Sequence, residues 1–272
     1  TLETLDGSAL AAIRHEIETN NMESVPLEKA PRIAVYTPPN SSPWDDAVTL
    51  ALEYAEIPYE KIWDRDVLSE ALDNYDWLHL HHEDFTGQYS KFYLTYASSA
   101  WLQEEVARNE AIARELGYEN VPSLKKAVAH RLREYVHAGG FLFAMCTATE
   151  TLELALAAEE VDIAASFADG SPLDLGASEK LDWSTTMAFQ GAVLVTDPTL
   201  SAFSDIDGHQ VNTPWRVDLG SYALFDFSAK FDPVPAMLTQ NHRRVLADFY
   251  GLTTTFRDER LRPSVTVLAE EE

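Results

Sequence analysis

The sequence has a single cysteine, Cys146, among 272 residues. One thiol excludes an internal disulfide framework, and it excludes the thiolate cages of zinc ribbons and iron–sulfur clusters. No apolar run reaches the length of about eighteen residues that a membrane-spanning helix needs. A charged-then-apolar leader ending in small residues is also missing, so nothing in this segment exports the chain. Basic residues are scarce: 20 Lys plus Arg stand against 45 Asp plus Glu, for a formal net charge of -25. Binding to phosphate backbones needs clustered Lys and Arg, so this field excludes nucleic acid as a partner. No glycine-rich phosphate loop occurs. No His-x-Glu follows Cys146, and the only later histidines are His209 and His242.

The hydrophobic content, 46%, is ample for a core in a chain of this length. The acidic residues are spread along the chain rather than gathered in a tail. This pattern fits a surface adapted to high salt, where counterions screen self-repulsion, and it fits an ordinary acidic mesophilic protein equally. The chain opens on Thr1, which reads as an internal fragment and leaves localisation open.

Residues 1–31 form a lead-in with a short helix in "SALAAIRHEIE". "RIAVYTPP" is a strand stopped by two prolines. In "NSSPWDDAVTLALEYAEI", Ser42 is the expected N-cap, with Pro43 at the first helical position and Asp45 and Asp46 in the first turn. "PYEKIWD" is a second strand, "DVLSEALDNY" a short helix and "DWLHLHHED", residues 76–84, a third strand. Residues 88–121 form an insertion of loop plus acidic helix. "SLKKAVAHRLREYVHAGG" follows, with apolar residues at helical spacing and two glycines ending it. Beyond residue 160, "AVLVTD" and "SYALFDFSAKF" are expected strands, "NHRRVLADFYG" a short helix and "SVTVLAEEE" a final strand. The alternation predicts an α/β fold of three layers with a mostly parallel sheet, as one domain over residues 32–272. Ligands of such sheets sit at the carboxyl ends of the strands.

Cys146 lies in "GGFLFAMCTATETLELAL", between an apolar strand and a helix. A nucleophile elbow is such a strand–turn–helix, so tight that the residues two before and two after the nucleophile must be small. Ala144 and Ala148 occupy those positions. "GFLFAM" is apolar on both faces, as a central parallel strand should be. Thr147 and Glu150 form a capping signature for the helix. A helix N-terminus favours the thiolate and offers N–H groups, that of Thr147 first, to an oxyanion. The alternative is a small buried residue at a strand end, since free cysteine is among the most buried residue types.

Residues 79–84, "HLHHED", place three histidines and two carboxylates at the end of the third strand. His81 or His82 is the expected base toward Cys146, with Glu83 orienting it or itself protonated. Alternation puts His79, His81 and Glu83 on one face and His82 on the other. A weaker reading is a metal site built from His79, His81, His82 and Asp84. A third treats His79 and His81 as satisfied core histidines. "SDID", residues 204–207, is an acidic loop before it is a cation site. "NHRR", residues 241–244, and Arg257 could meet a carboxylate substrate and are mostly structural.

"GGFLFAMCTATET" on this α/β pattern resembles the class I glutamine amidotransferase-like superfamily, whose flavodoxin-like domain carries its cysteine on such an elbow. "KAPRIAVYTPPN", "YDWLHLHHEDFTGQYSKFY" and "ALFDFSAKFDPVPAMLTQNH" are similar to bacterial proteins labelled asparagine synthetase B-like, over residues 10–268. The resemblance implies a longer parent chain at both ends. It implies cysteine-dependent hydrolysis or transfer at a carbon–nitrogen bond of a small-molecule substrate, with no cofactor. It does not imply asparagine synthesis, which uses an N-terminal cysteine and an ATP pyrophosphate loop. The superfamily takes its His and Glu from a late His-x-Glu, which this chain lacks. That departure leaves the third triad member open and gives weight to a non-catalytic binding domain on the same fold.

Overall fold

The structure, a computed structural model, describes residues 6–19, 30–41, 47–91, 93–200, 202–206, 217–224, 245–252 and 256–271. The chain divides into two compact units, one of residues 1–30, 216–252 and 266–272, the other of residues 31–215 and 253–265. Helix α1 (Gly7–Thr19) opens the first unit. Its N-terminus is capped by Asp6, whose Oδ1 accepts from the N–H groups of Ser8 and Ala9 at 2.9 and 2.8 Å.

The second unit is built on four parallel strands, β1 (Ile33–Tyr36), β2 (Tyr59–Ile62), β3 (Trp77–Leu80) and β4 (Phe141–Ala144), in the order β2-β1-β3-β4. The unit is therefore α/β with an all-parallel sheet, as the alternation predicts. Period-two alternation sorts the side chains. Ala34, Tyr36, Leu78 and Leu80 join the main core. Ile33 and Val35 face the other way and pack with Leu52 of α2 (Ala47–Tyr54). The expected N-cap and first turn of α2, Ser42 to Asp46, lie outside the described residues.

Short α3 (Asp64–Val67) follows β2, and the insertion after β3 carries α4 (Tyr93–Tyr96) and α5 (Ala100–Glu115). Helix α6 (Val121–His137) starts two residues earlier than "SLKK" suggests, because Asn120 is the N-cap and accepts from Ser123 N–H at 2.8 Å. It ends at His137 with Ala138 as the C-cap, and Gly139 and Gly140 carry the turn that follows. A Cβ on Gly140 would lie 2.2 Å from the Tyr135 ring, so only glycine lets the chain turn back under α6. Helix α7 (Thr147–Ala157) packs beside α6, with Ala148, Leu152, Ala155 and Leu156 in the main core.

Three expectations are corrected. β4 is an edge strand among the described residues, with Phe141 57% and Phe143 40% exposed, so its apolar sequence does not mark a central strand. Residues 192–197 form no strand and hold only an isolated bridge, Leu194 to Ser204. The described part of "NHRRVLADFYG" is β6 (Val245–Leu252), which pairs antiparallel with β5 (Val217–Leu224) rather than forming a helix. Antiparallel pairing outweighs a helical reading for a segment rich in Val, Phe and Tyr. β7 (Ala269–Glu271) completes that sheet on the other side of β5.

Candidate active site

The carboxyl ends of the four strands converge because the strands are parallel. Tyr36 ends β1, Trp63 and Asp64 follow β2, His81 to Phe85 follow β3, and Met145 and Cys146 follow β4. The ladder continues past the strands: Met145 N–H donates to Leu80 O at 3.1 Å, and Leu80 is paired with Ala144. His81 and His82 therefore leave β3 at the height where Met145 and Cys146 leave β4. β3 itself stops at Leu80, so strand alternation does not extend to Glu83.

Cys146 is the N-cap of α7, with φ 50° and ψ -138°, and it is exposed. Positive φ is strained for any residue with a Cβ, at a cost of about 1–3 kcal/mol. The small residues at 144 and 148 belong to this turn, and Ala148 is fully buried. Thr149 closes it from the helix side, its N–H and Oγ1 donating to Cys146 O at 3.2 and 2.8 Å. The Thr147 N–H is the first of α7 and belongs to the group of N–H donors that no helix satisfies internally. Among the described residues, the hydrogen-bond contact of the sulfur is with Thr147 Oγ1, at 3.7 Å. The expected capping box is not formed. Thr147 is already the first helical residue, and the Glu150 carboxylate instead accepts from buried Ser204 Oγ at 2.5 Å.

The loop after β3 spends its aspartate on its own backbone and side chains. Both oxygens of Asp84 are used inside the loop: Oδ1 accepts from Thr86 N–H and Oγ1 at 2.8 and 2.6 Å, and Oδ2 from Gln88 and Ser90 N–H at 3.0 and 2.8 Å. Burial raises the Asp84 pKa, and these hydrogen bonds oppose the rise. Among the described residues, no group of three or more His, Cys, Asp and Glu is placed to hold a metal ion. His79 is fully buried and stacks on Phe143, with ring centroids 5.7 Å apart. Glu83 folds back on its own backbone, Oε2 accepting from His81 N–H at 2.8 Å, so this bond does not orient an imidazole. The rings of His81 and His82 meet at Nδ1, 2.9 Å apart.

Asp84 also holds an unusual turn. Tyr89, Ser90 and Lys91 have φ of 53°, 52° and 58°, three consecutive left-handed residues other than glycine. The Ser90 N–H bond to Asp84 secures one end. The other is secured by Lys91, whose Nζ donates to the carbonyls of Val195 and Ala202 at 2.7 and 2.6 Å. Burial lowers the Lys91 pKa.

Two further groups escaped sequence reading. Thr151 of α7, fully buried, accepts from Phe85 N–H at 3.2 Å, which ties the elbow helix to the histidine loop, and its single hydroxyl proton is shared between Thr147 O at 2.9 Å and Glu83 O at 3.0 Å. Beneath the sheet edge, Lys125 donates to both oxygens of Asp64 and to Tyr36 Oη, while Tyr36 Oη donates to Asp64 Oδ1. Burial, with the charge of Asp64 and then of Glu83, pushes the Tyr36 hydroxyl well above its usual range. Helix α5 spans this corner: Arg108 donates to Asn40 of the loop after β1 at 2.7 Å, and Arg65 of α3 pairs with Glu115 at 2.5 Å.

Of the later polar clusters, the described residues form ion pairs with one another. Asp205 pairs with Arg260 at 2.6 Å and with Arg257 at 3.9 Å, while Asp207 and residues 241–244 lie outside the described residues. Buried Glu153 gathers the N–H groups of Met187, Ala188 and Phe189. Among the described residues, no helix is long and apolar enough to cross a membrane. No protein-family model, no curated protein and no solved structure matches the chain.

Proposed function

We propose that residues 31–215 and 253–265 form a flavodoxin-like domain of the class I glutamine amidotransferase-like kind, in which Cys146 attacks the amide carbon of a small-molecule substrate. The observation that carries this reading is the backbone of Cys146, φ 50° and ψ -138°, on a sharp strand-to-helix turn with an exposed side chain. Strained backbone at an exposed nucleophile type is characteristic of functional sites and of nucleophile elbows.

The chemistry runs in two halves. An imidazole of the His81–His82 loop takes the thiol proton, and the thiolate adds to the carbonyl carbon. The oxyanion sits at the start of α7, where the Thr147 N–H is a donor that the helix does not satisfy internally. Collapse expels the amine, which takes the proton from the imidazolium. Water then hydrolyses the thioester and returns the free thiol. In the structure, the hydrogen-bond contact of the sulfur is Thr147 alone among the described residues. Such contacts commonly tighten only once substrate is bound. The same observation favours a second reading, a binding domain that has kept the elbow without its chemistry.

Mild alkylation of the native protein with iodoacetamide at near-neutral pH, followed by mass spectrometry, separates the two. Rapid labelling of Cys146, together with ammonia release from glutamine or asparagine that is lost in Cys146→Ser, is the result expected. An inert thiol sinks the nucleophile reading and supports the binding domain.

A further inference from the structure

We propose that His81 and His82 share one proton between their Nδ1 atoms, with His82 in the Nδ1–H tautomer as donor, and that His81 is the positioning residue that fixes His82 as a base through Nε2. The role in catalysis rests on the reading of Cys146 as nucleophile; the tautomer does not.

The geometry requires a shared proton. The two Nδ1 atoms are 2.9 Å apart, with ring centroids at 4.6 Å and planes at 67°. Two Nε2–H tautomers would set two lone pairs against each other at that distance. Two imidazolium rings would set two protons there. Only one proton between the nitrogens makes a hydrogen bond, so one ring carries hydrogen on Nδ1 and the other accepts.

The surroundings choose the donor. The His81 ring is held by stacking on buried His79, with centroids 6.2 Å apart and planes at 26°, while the Glu83 carboxylate holds only the His81 backbone. His82 is exposed and lies two residues past the end of β3, as Cys146 lies two residues past the end of the neighbouring β4. A fixed acceptor and an exposed donor leave the lone pair on His82 Nε2, the atom able to reach outward. When His82 takes the thiol proton, its Nδ1–H still donates to His81, so the imidazolium keeps its orientation. His81 then fills the place that a carboxylate holds in a Ser-His-Asp triad. That supplies the third member which the missing His-x-Glu leaves open.

Long-range proton–nitrogen correlation spectra of the 15N-labelled protein near neutral pH test the tautomer directly. His82→Gln identifies the His82 signals among the eight histidines. The expected spectrum has His82 protonated at Nδ1 and bare at Nε2, and in His81→Phe the same ring turns over to the Nε2–H form. Nε2–H on both rings in the parent protein overturns the pair, and Nδ1–H on His81 instead overturns the choice of donor. In parallel, His82→Gln and His81→Phe should each slow iodoacetamide labelling of Cys146 about tenfold, since the thiolate is the species that reacts. A shared-proton spectrum with labelling indifferent to both substitutions supports the pair and overturns its link to Cys146.

Discussion

Lys125 Nζ donates to both carboxylate oxygens of Asp64, at 2.8 and 2.9 Å, with Lys125 4% and Asp64 0% exposed. Removing one partner of a buried ion pair leaves the other charged and unsolvated, which costs about 3–5 kcal/mol. Lys125→Met should lower unfolding stability in urea by about that amount. Replacing both residues, as Asp64→Leu with Lys125→Met, should recover most of the loss. A double variant as unstable as the single one would show that the pair adds more than mutual neutralisation.

Cys146 predicts a trade between stability and chemistry. Glycine tolerates its φ of 50°, whereas alanine does not. Cys146→Gly should relieve strain of about 1–3 kcal/mol and return about 0.5–1 kcal/mol through the freer unfolded chain. A net gain of about 1 kcal/mol would raise Tm by about 2–4 °C. Cys146→Ala keeps the strain and should show no such gain in a calorimetric scan. Equal Tm values for the two variants would mean that the turn relaxes at no cost.

Thr151 gives a test of how the elbow and the histidine loop are joined. Valine has nearly the same shape but neither accepts from Phe85 N–H nor donates to Glu83 O. Thr151→Val should cost about 1–3 kcal/mol and speed hydrogen exchange at the Phe85 amide about tenfold or more. Thr151→Ser should restore protection. Unchanged exchange in the valine variant would show that the loop is held by other contacts.

Alkaline stability should follow the tyrosines whose hydroxyl pKa burial raises, Tyr36, Tyr75, Tyr89 and Tyr135. Burial, with a hydrogen bond to Glu60, raises Tyr75 from 10.0 to about 12, and burial, with the charge of Asp76, raises Tyr135 from 10.0 to about 12. Between those values the native state keeps protons that the unfolded state has lost. The stability this supplies is complete below the unfolded pKa and disappears as pH rises through the folded one. Urea midpoints should therefore fall from pH 10 to pH 12, with phenolate absorbance rising in step with unfolding. Tyr75→Phe should flatten part of that fall, and an unchanged slope would remove Tyr75 from the explanation.

Much of the larger unit was legible because its signals are local. Parallel strands announce themselves as short apolar runs followed by helices. The elbow is visible because a tight turn demands small residues at fixed offsets, here Ala144 and Ala148. The edge position of β4 was not legible, since Phe141 and Phe143 look the same in sequence whether covered or bare. The fate of Asp84 was hidden too. A carboxylate just after a run of histidines suggests a ligand, but Thr86, Gln88 and Ser90 lie at the offsets of a local turn that consumes it. Lys125 could have been found: it falls between Val121 and Leu132 on the buried stripe of α6, and a lysine there demands a carboxylate partner. Which carboxylate it meets depends on residues 61 positions apart, a distance over which periodicity is silent.

The solitary thiol makes the molecule its own labelling target. A maleimide dye or nitroxide added to the unmodified protein has one attachment point, at an exposed turn one residue ahead of a helix. Probe signals then report on the junction of β4 and α7 alone, without the background substitutions that such spectroscopy ordinarily requires.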